Sequence, residues 1–458
     1  MVTKAILDVS IKGIGKLHKT SIFPCGIFQY WDGVNDKPNT PNYDLKRLAL
    51  YSTAKRLYPN YCNCDWSNQR KAIADDRRIK KEIIDSLTDN QKDAFVNRLK
   101  ENPSLCDKLD ILLSSVCNGE LSINMDCEHP YEISSTMGCR TWNGSDINFG
   151  EVYSRNIDSV IKTGKLYHEY FLSAAQKDGR GNICPVTIIM PTLAMEAREN
   201  AAASDSSDVY AEFVKLLDKK IYEAKDSLIE RFEWICSQDE SSAKFMYENG
   251  AMEGYIPEEG IRSALKHGTL AIGQLGLAET LQIIFGCDQT SEIGMKYGKE
   301  IEKLFNKRCD EFKHQYSLNF GVYLTPAENL CFTAMKKFKD KYGVIPNVSD
   351  KDFFTNSVHV PVWTEITPFD KIDVETQLNS YSNAGSITYT ELDSTVLNNV
   401  DAMERIVDYA MSHNIPYFAI NVPNDTCLEC GYTGEFNDCC PMCGNSHIQQ
   451  LRRVTGLS

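Results

Sequence analysis

The 458-residue sequence predicts an α/β fold with a buried sheet able to close as a barrel, followed by a small cysteine-rich terminal module. Three observations carry this. Apolar residues recur at helical spacing in long charged segments, and short apolar runs bounded by turn residues lie between those segments. At 42% hydrophobic over this length, the chain can also bury a large core.

Taken in order, residues 68 to 116, opening "NQRKAIADDRRIKKEIIDSL", read as helical without strand-like alternation. Between 205 and 236, Phe213, Leu217, Ile221, Ala224, Leu228, Phe232 and Ile235 share one helical face behind the capping-type "DSSD". A further helix fits 395 to 411, with Val396, Val400, Met403, Val407 and Ala410 on one face behind Asp393 and Ser394. Strands are expected at 184 to 191 (CPVTIIMP), 319 to 326 (NFGVYLTP), 358 to 363 (VHVPVW), 386 to 392 (SITYTEL) and 417 to 423 (YFAINVP). Composition breaks after Pro423, which divides the chain into a body of residues 1–423, a module at 424–451 and a tail at 452–458.

Charge and composition narrow the function. A net charge of −14 disfavours a surface that coats nucleic acid, because backbone binding relies on clustered Lys and Arg. No run of 18 or more apolar residues is present to span a bilayer, and the first residues lack a signal-peptide pattern, so a cytoplasmic protein is expected. The seventeen cysteines are scattered rather than framed as in a short secreted scaffold, which favours reduced thiols and metal ligation.

Cys427, Cys430, Cys440 and Cys443 form two CxxC knuckles, each followed by glycine, which permits a tight turn. Four soft thiolates leave no open coordination position and point to a closed structural Zn²⁺ site. The alternative is a pair of redox-active dithiols, and Cys439 is the spare thiol.

"STMGCRTWNG" places Cys139 beside Arg140, whose charge can lower a thiol pKa, although one cysteine among many is ordinarily a packed small hydrophobe. The neighbouring stretches change that balance. "TMGCRT", then "DGRGNICPVTIIMPTLAMEA", "TPAENL", the paired knuckles and "RRVTG" resemble, in order, the anaerobic (class III) ribonucleoside-triphosphate reductases, which are glycyl radical enzymes. "GKLHKTSIFPCGIFQYWDGVN" and "LALYSTAKRLYPNY" are also similar to that family, with phage members nearest in character, so the resemblance runs through the chain.

The resemblance implies a ten-stranded α/β barrel, incomplete here, with a zinc ribbon at 424–451 and the start of a glycyl radical loop at 452–458. It implies reduction of ribonucleoside triphosphates to 2′-deoxyribonucleoside triphosphates, which supplies DNA precursors. A separate activase using S-adenosylmethionine and an iron–sulfur cluster would generate the radical on Gly456, and Cys139 would carry the thiyl radical to the ribose. Formate is the reductant in one branch of the family. Asn182 matches the amide kept in the active site, although Asn after Gly is ordinarily turn chemistry. Thr325-Pro326-Ala327-Glu328 matches a recurring family stretch that reads equally well as a turn before a helix.

Against the family pattern, the chain is expected to lack the segments that precede Met1, with the second active-site cysteine, the dimer contact and the nucleotide-regulatory region, and the rest of the glycyl loop that follows Gly456. Cys25 does not sit in the missing strand's context and reads as a packed thiol. The expectation is one part of a divided reductase, homodimeric when complete, with the other segments and the activase as partners. Two other functions compete: a non-catalytic zinc-ribbon scaffold, and another glycyl radical enzyme, which would want adjacent cysteines in its barrel, whereas Cys439-Cys440 lie in the ribbon.

Overall fold

The computed structural model describes residues 2–16, 18–20, 25–69, 72–115, 121–125, 143–167, 181–204, 208–249, 251–252, 254–324, 327–436 and 438–450. Its strands are β1 (Ile27–Tyr30), β2 (Asn60–Asn63), β3 (Ile111–Ser115), β4 (Leu121–Met125), β5 (Asn182–Ile189), β6 (Thr269–Leu275), β7 (Asn319–Tyr323), β8 (Thr388–Glu391) and β9 (Tyr417–Asn421). In the terminal module follow β10 (Asp425–Cys427), β11 (Thr433–Gly434) and β12 (Ile448–Gln449).

Parallel pairing builds β5-β6-β7, and a second sheet runs β1-β2-β9-β8. A parallel bridge between Tyr323 and Gly385, with Leu324 N–H donating to the Gly385 carbonyl at 2.9 Å, joins β7 to the approach to β8. The combined order is therefore β5-β6-β7-β8-β9-β2-β1, parallel except where β2 meets β9. This is the α/β architecture expected from the sequence. Among the described residues it is open, with β5 and β1 each paired on one side.

Alternation along the strands separates two faces. On one face, Leu270 and Ile272 of β6 pack with Phe213, Leu217, Leu228 and Phe232 of the helix Val209–Cys236 and with Phe305 and Phe312 of the helix Glu292–Tyr316. Likewise Tyr61, Phe418 and Ile420 pack against the helices Tyr43–Arg56 and Val400–Ser412. On the other face Cys62, Tyr389, Tyr417 and Ala419 form a separate buried cluster. Truncating a fully buried ring such as Phe213 would cost about 3–5 kcal/mol.

The helix expected at 205 to 236 begins at Val209, where the Asp208 carboxylate accepts Ala211 N–H at 2.9 Å. The helix expected at 395 to 411 is split. Asp393 caps a 3₁₀ turn at Ser394–Asn398, and Asn399 caps a new helix from Val400 to Ser412. Lys46, wholly buried, binds Glu404 at 2.8 Å and Asp408 at 2.9 Å and fastens that helix to Tyr43–Arg56.

Two expectations are corrected. Residues 358–363 are not a strand, because buried side chains take up the backbone groups a ladder would use. Gln289 Nε2 donates to the Val358 and His359 carbonyls, and Glu375 accepts Val360 N–H. The stretch 68–116 is helical at Ala72–Ser86, Asp89–Glu101 and Ser104–Lys108, but ends in β3, which pairs antiparallel with β4. Asn118-Gly119, the commonest hairpin-turn dipeptide, stands between those strands in the sequence and was the available signal.

Glu302, wholly buried on the helix Glu292–Tyr316, accepts a hydrogen bond from Gln274 Nε2 of β6 at 2.6 Å. Burial pushes its carboxyl from 4.5 up to about 8. Because the folded value is raised, the folded chain holds a proton that the unfolded chain releases. Stability is therefore whole below the unfolded value and is lost as pH rises toward 8. Glu302→Gln keeps the shape without the charge. Unfolding free energies from urea titrations between about pH 5 and 8 should fall less steeply in the variant, by on the order of a few kcal/mol. Glu279, pushed up to about 7 by burial, leaves a residual slope in both proteins. Equal slopes would contradict the assignment.

Candidate active site and metal centre

β5 begins with an irregularity. Asn182 pairs with Thr269 and Cys184 with Leu270, so Ile183 is an extra residue opposite the partner strand. Such a bulge re-aims the side chain beside it. Asn182 takes the face of Thr269, whereas a regular strand would have put it on the face of Cys184, which packs against the helix-covered core. Gly268 makes the bulge possible. A Cβ there would stand 2.6 Å from Ile183 Cγ1, 2.8 Å from its Cδ1 and 3.1 Å from the Gly181 carbonyl oxygen.

The Asn182 amide donates from Nδ2 to the Ala384 carbonyl at 3.1 Å. Its Oδ1 is buried without a hydrogen-bond partner among the described residues. An unsatisfied buried acceptor of this kind costs about 1–3 kcal/mol unless something donates to it. The floor beside it is kept low by Gly321, where a Cβ would lie 2.9 Å from Ala384 Cβ, 3.0 Å from Asn383 Oδ1 and 3.2 Å from Thr269 Cγ2.

The segment 143–148 is bound to the starts of β6 and β7. Thr269 Oγ1 donates to Asn143 Oδ1 at 2.7 Å, and Gly144 N–H donates to the Asn383 carbonyl at 3.1 Å. The buried Asp146 carboxylate meets His267 Nδ1 at 2.6 Å and accepts from Asn319 Nδ2 at 2.8 Å. Asn319 Oδ1 in turn accepts Ile147 N–H at 2.9 Å. Sequence reading missed this cluster, because its members come from three distant segments that only the sheet brings together.

Of the sequence-derived catalytic residues, only Asn182 is among the described residues; Cys139 and Gly456 lie outside them. Cys139 stands four positions before the anchored Asn143, a chain reach of at most about 14 Å. Thr325 and Pro326 also lie outside, between β7 and the helix Glu328–Tyr342, whose capping residue Ala327 takes a left-handed φ of 49°. Cys25 is half-buried.

The terminal module brings its four cysteines together. Cys427, Cys430, Cys440 and Cys443 place their sulfurs within 4.8 Å of one another. Cys427 lies 3.6 Å from Cys443, and Cys430 lies 3.6 Å from Cys440, so the close approaches run between the knuckles. Four sulfurs at about 2.3 Å from one zinc ion stand about 3.8 Å apart, so the set fits a tetrahedral site; redox dithiols would instead pair within each CxxC. The knuckle backbones match each other. Gly431 at φ 76° donates N–H to the Cys427 carbonyl, and Gly444 at φ 71° does the same to Cys440, at 3.0 and 2.8 Å. The spare Cys439 is exposed.

Comparison with known proteins decides the family. The family described as anaerobic ribonucleoside-triphosphate reductase matches residues 1–457. The chain belongs to that family. It is 28% identical over 470 residues to the anaerobic ribonucleoside-triphosphate reductase of Escherichia coli, covering 100% of this chain and 53% of the relative. Against that of Enterobacteria phage T4 it is 28% identical over 462 residues, covering 99% and 61%. The chain thus spans about half to three-fifths of the length of these curated reductases. The crystal structure of the anaerobic ribonucleotide reductase from Thermotoga maritima is similar in fold, with a TM-score of 0.55 at 15% identity over 99% of this chain and 56% of that one.

No helix among the described residues is long and apolar enough to cross a membrane. For the cysteine cluster, the purified protein should hold close to one zinc per chain by metal analysis. Cys427→Ser should lose that ion and order in residues 424–450 while the body keeps its helical signal. Zinc retained at full stoichiometry in the variant would contradict the four-thiolate site.

Proposed function

We propose that this chain carries out the glycyl/thiyl radical step of anaerobic ribonucleotide reduction, with a ribonucleoside triphosphate as substrate. The balanced reaction is ribonucleoside triphosphate plus formate plus a proton, giving 2′-deoxyribonucleoside triphosphate, carbon dioxide and water. Gly456, once its Cα hydrogen is removed by a separate S-adenosylmethionine/iron–sulfur activase, passes the radical to Cys139. The Cys139 thiyl takes the ribose 3′-hydrogen, which allows the 2′-hydroxyl to leave as water once it is protonated, and formate supplies the reducing electrons. Asn182 holds the ribose or the reductant through its amide. Residues 1–423 serve as the catalytic portion of a ten-stranded barrel, the zinc ribbon at 424–451 presents the glycine-bearing tail at 452–458, and the complete enzyme is a homodimer.

One observation carries the reading. The asparagine of the "GRGN" stretch is turned by a bulge onto the face away from the covering helices, with a buried acceptor left over, in a chain whose family match runs over residues 1–457. A turn asparagine would have no need of a bulge or of Gly268 to admit it.

The test is anaerobic reconstitution of the full chain with an activase, formate and the reductase segments that the longer relatives carry, followed by conversion of CTP or ATP to the deoxynucleotide. Product should form, and Cys139→Ala should abolish it with zinc content and helical signal unchanged. Turnover retained in Cys139→Ala would refute the thiyl assignment.

A further inference from the structure

The hydrogen bond that orients Asn182 has a support of its own. Asn182 Nδ2 donates to the Ala384 carbonyl, and a carbonyl can only accept, so the nitrogen end of the amide must be the end that faces Ala384. Ala384 is wholly buried in a bend at 382–385, just before β8.

That bend is fastened to the edge of β7 by side chains as well as backbone. Asn383 Oδ1 accepts Val322 N–H at 2.6 Å, and the Val322 carbonyl accepts the Asn383 and Ala384 N–H groups at 3.2 and 3.0 Å. Ser382 Oγ donates toward the Val322 and Gly385 carbonyls, at 3.1 and 2.8 Å, and accepts Gly385 N–H at 3.1 Å. Gly385 takes φ 129°, a conformation that suits glycine and closes the bend. The Val322 groups taken up here are those that a strand beside β7 would otherwise have used. Pairing with β7 resumes only at the Tyr323–Gly385 bridge. The bend therefore replaces the ladder for a few residues and leaves the Ala384 carbonyl to Asn182.

The consequence is a fixed polarity. With Nδ2 held by Ala384, the atom of the amide left without a partner among the described residues is Oδ1, which is buried. Oδ1 is an acceptor, so what it lacks is a donor. An ionised carboxylate such as formate carries no donor, whereas a ribose hydroxyl does. Of the two molecules that Asn182 is placed to hold, only the ribose meets that demand.

We propose that Ser382 and Asn383 are positioning residues. Through the Ala384 carbonyl they hold the Asn182 amide with Oδ1 presented to a ribose hydroxyl, and they thereby make the site prefer nucleotides that carry that hydroxyl. Naming the ribose rests on the proposed function; the support of Ala384 by Ser382 and Asn383 does not.

The test is binding of CTP, 2′-deoxy-CTP and 3′-deoxy-CTP to the reconstituted complex before activation, measured by equilibrium dialysis. In the wild type, CTP should bind about tenfold more tightly than the analogue that lacks the hydroxyl reaching Asn182. Ser382→Ala and Asn383→Ala should bring that ratio close to one, as Asn182→Ala does directly. Asn383→Asp, which keeps an oxygen for Val322 N–H, should retain the ratio. A merely structural role would weaken all three nucleotides together and leave the ratio unmoved. Zinc content and helical signal identify any variant that fails to fold, and the two alanine variants are independent, so either one decides. A wild-type ratio near one for both analogues, or a full ratio in the folded alanine variants, overturns the proposal. Absence of binding by all three nucleotides overturns it together with the proposed function. No turnover is involved. A complex that prefers CTP in this way but never reduces it refutes the radical function alone, and one that reduces CTP without the preference refutes the positioning role alone.

Discussion

The close approach of Ile183 to Gly268 is the constraint on which the candidate active site depends. In a strand the side-chain period is two, so one extra residue exchanges faces for everything before it. With Ile183 accommodated, Asn182 stands in register with Thr269, and Thr269 in turn holds Asn143 at 2.7 Å. Beyond the bulge, Leu270 and Ile272 return to the helix-covered core. A single glycine thus lets one strand serve a hydrophobic core along its length and a polar site at its start.

The two ends of β6 are chemically different. At its beginning the Asp146–His267–Asn319 network is buried and bonded on several sides, which suits it to fixing backbone in place. At its end, Asn356 Nδ2 and His359 Nε2 are buried without a hydrogen-bond partner among the described residues, around a small cavity. The terminal module is tied down separately. Asn424 Nδ2 donates to the Lys55 carbonyl at 2.7 Å, Thr20 bonds Asn424 at 2.6 Å, and Lys19 reaches Gln449 at 2.9 Å. Those contacts hold the cysteine cluster against the first helices of the body, so its orientation is set by side chains far from it in sequence.

Periodicity made much of the fold legible. The helix Val209–Cys236 buries the apolar residues expected of it from Phe213 to Phe232, because a long amphipathic stripe leaves little choice of partner. Short segments were harder. "VHVPVW" has the composition of a strand, yet its backbone is satisfied by Gln289 and Glu375 from distant helices, which no local pattern reveals. The four cysteines were legible because metal ligation dictates local spacing, and the structure brings those four sulfurs together. The family was legible from the order of several motifs, and its match over residues 1–457 agrees with it. What sequence could not show was the bulge that turns Asn182 and the His359–Glu375 pair. Both arise from tertiary register rather than from residue type.

The most direct measurement is the turnover of the reconstituted enzyme carrying Gly268→Ala, before and after Ile183→Ala is added. The added methyl must displace Ile183 and with it the bulge, so the single variant should lose at least about tenfold in kcat with zinc content unchanged. Trimming Ile183 to alanine removes both of the closest side-chain atoms and should restore much of that loss. Full turnover in Gly268→Ala alone would contradict the claim that this bulge sets the position of Asn182 in the active site.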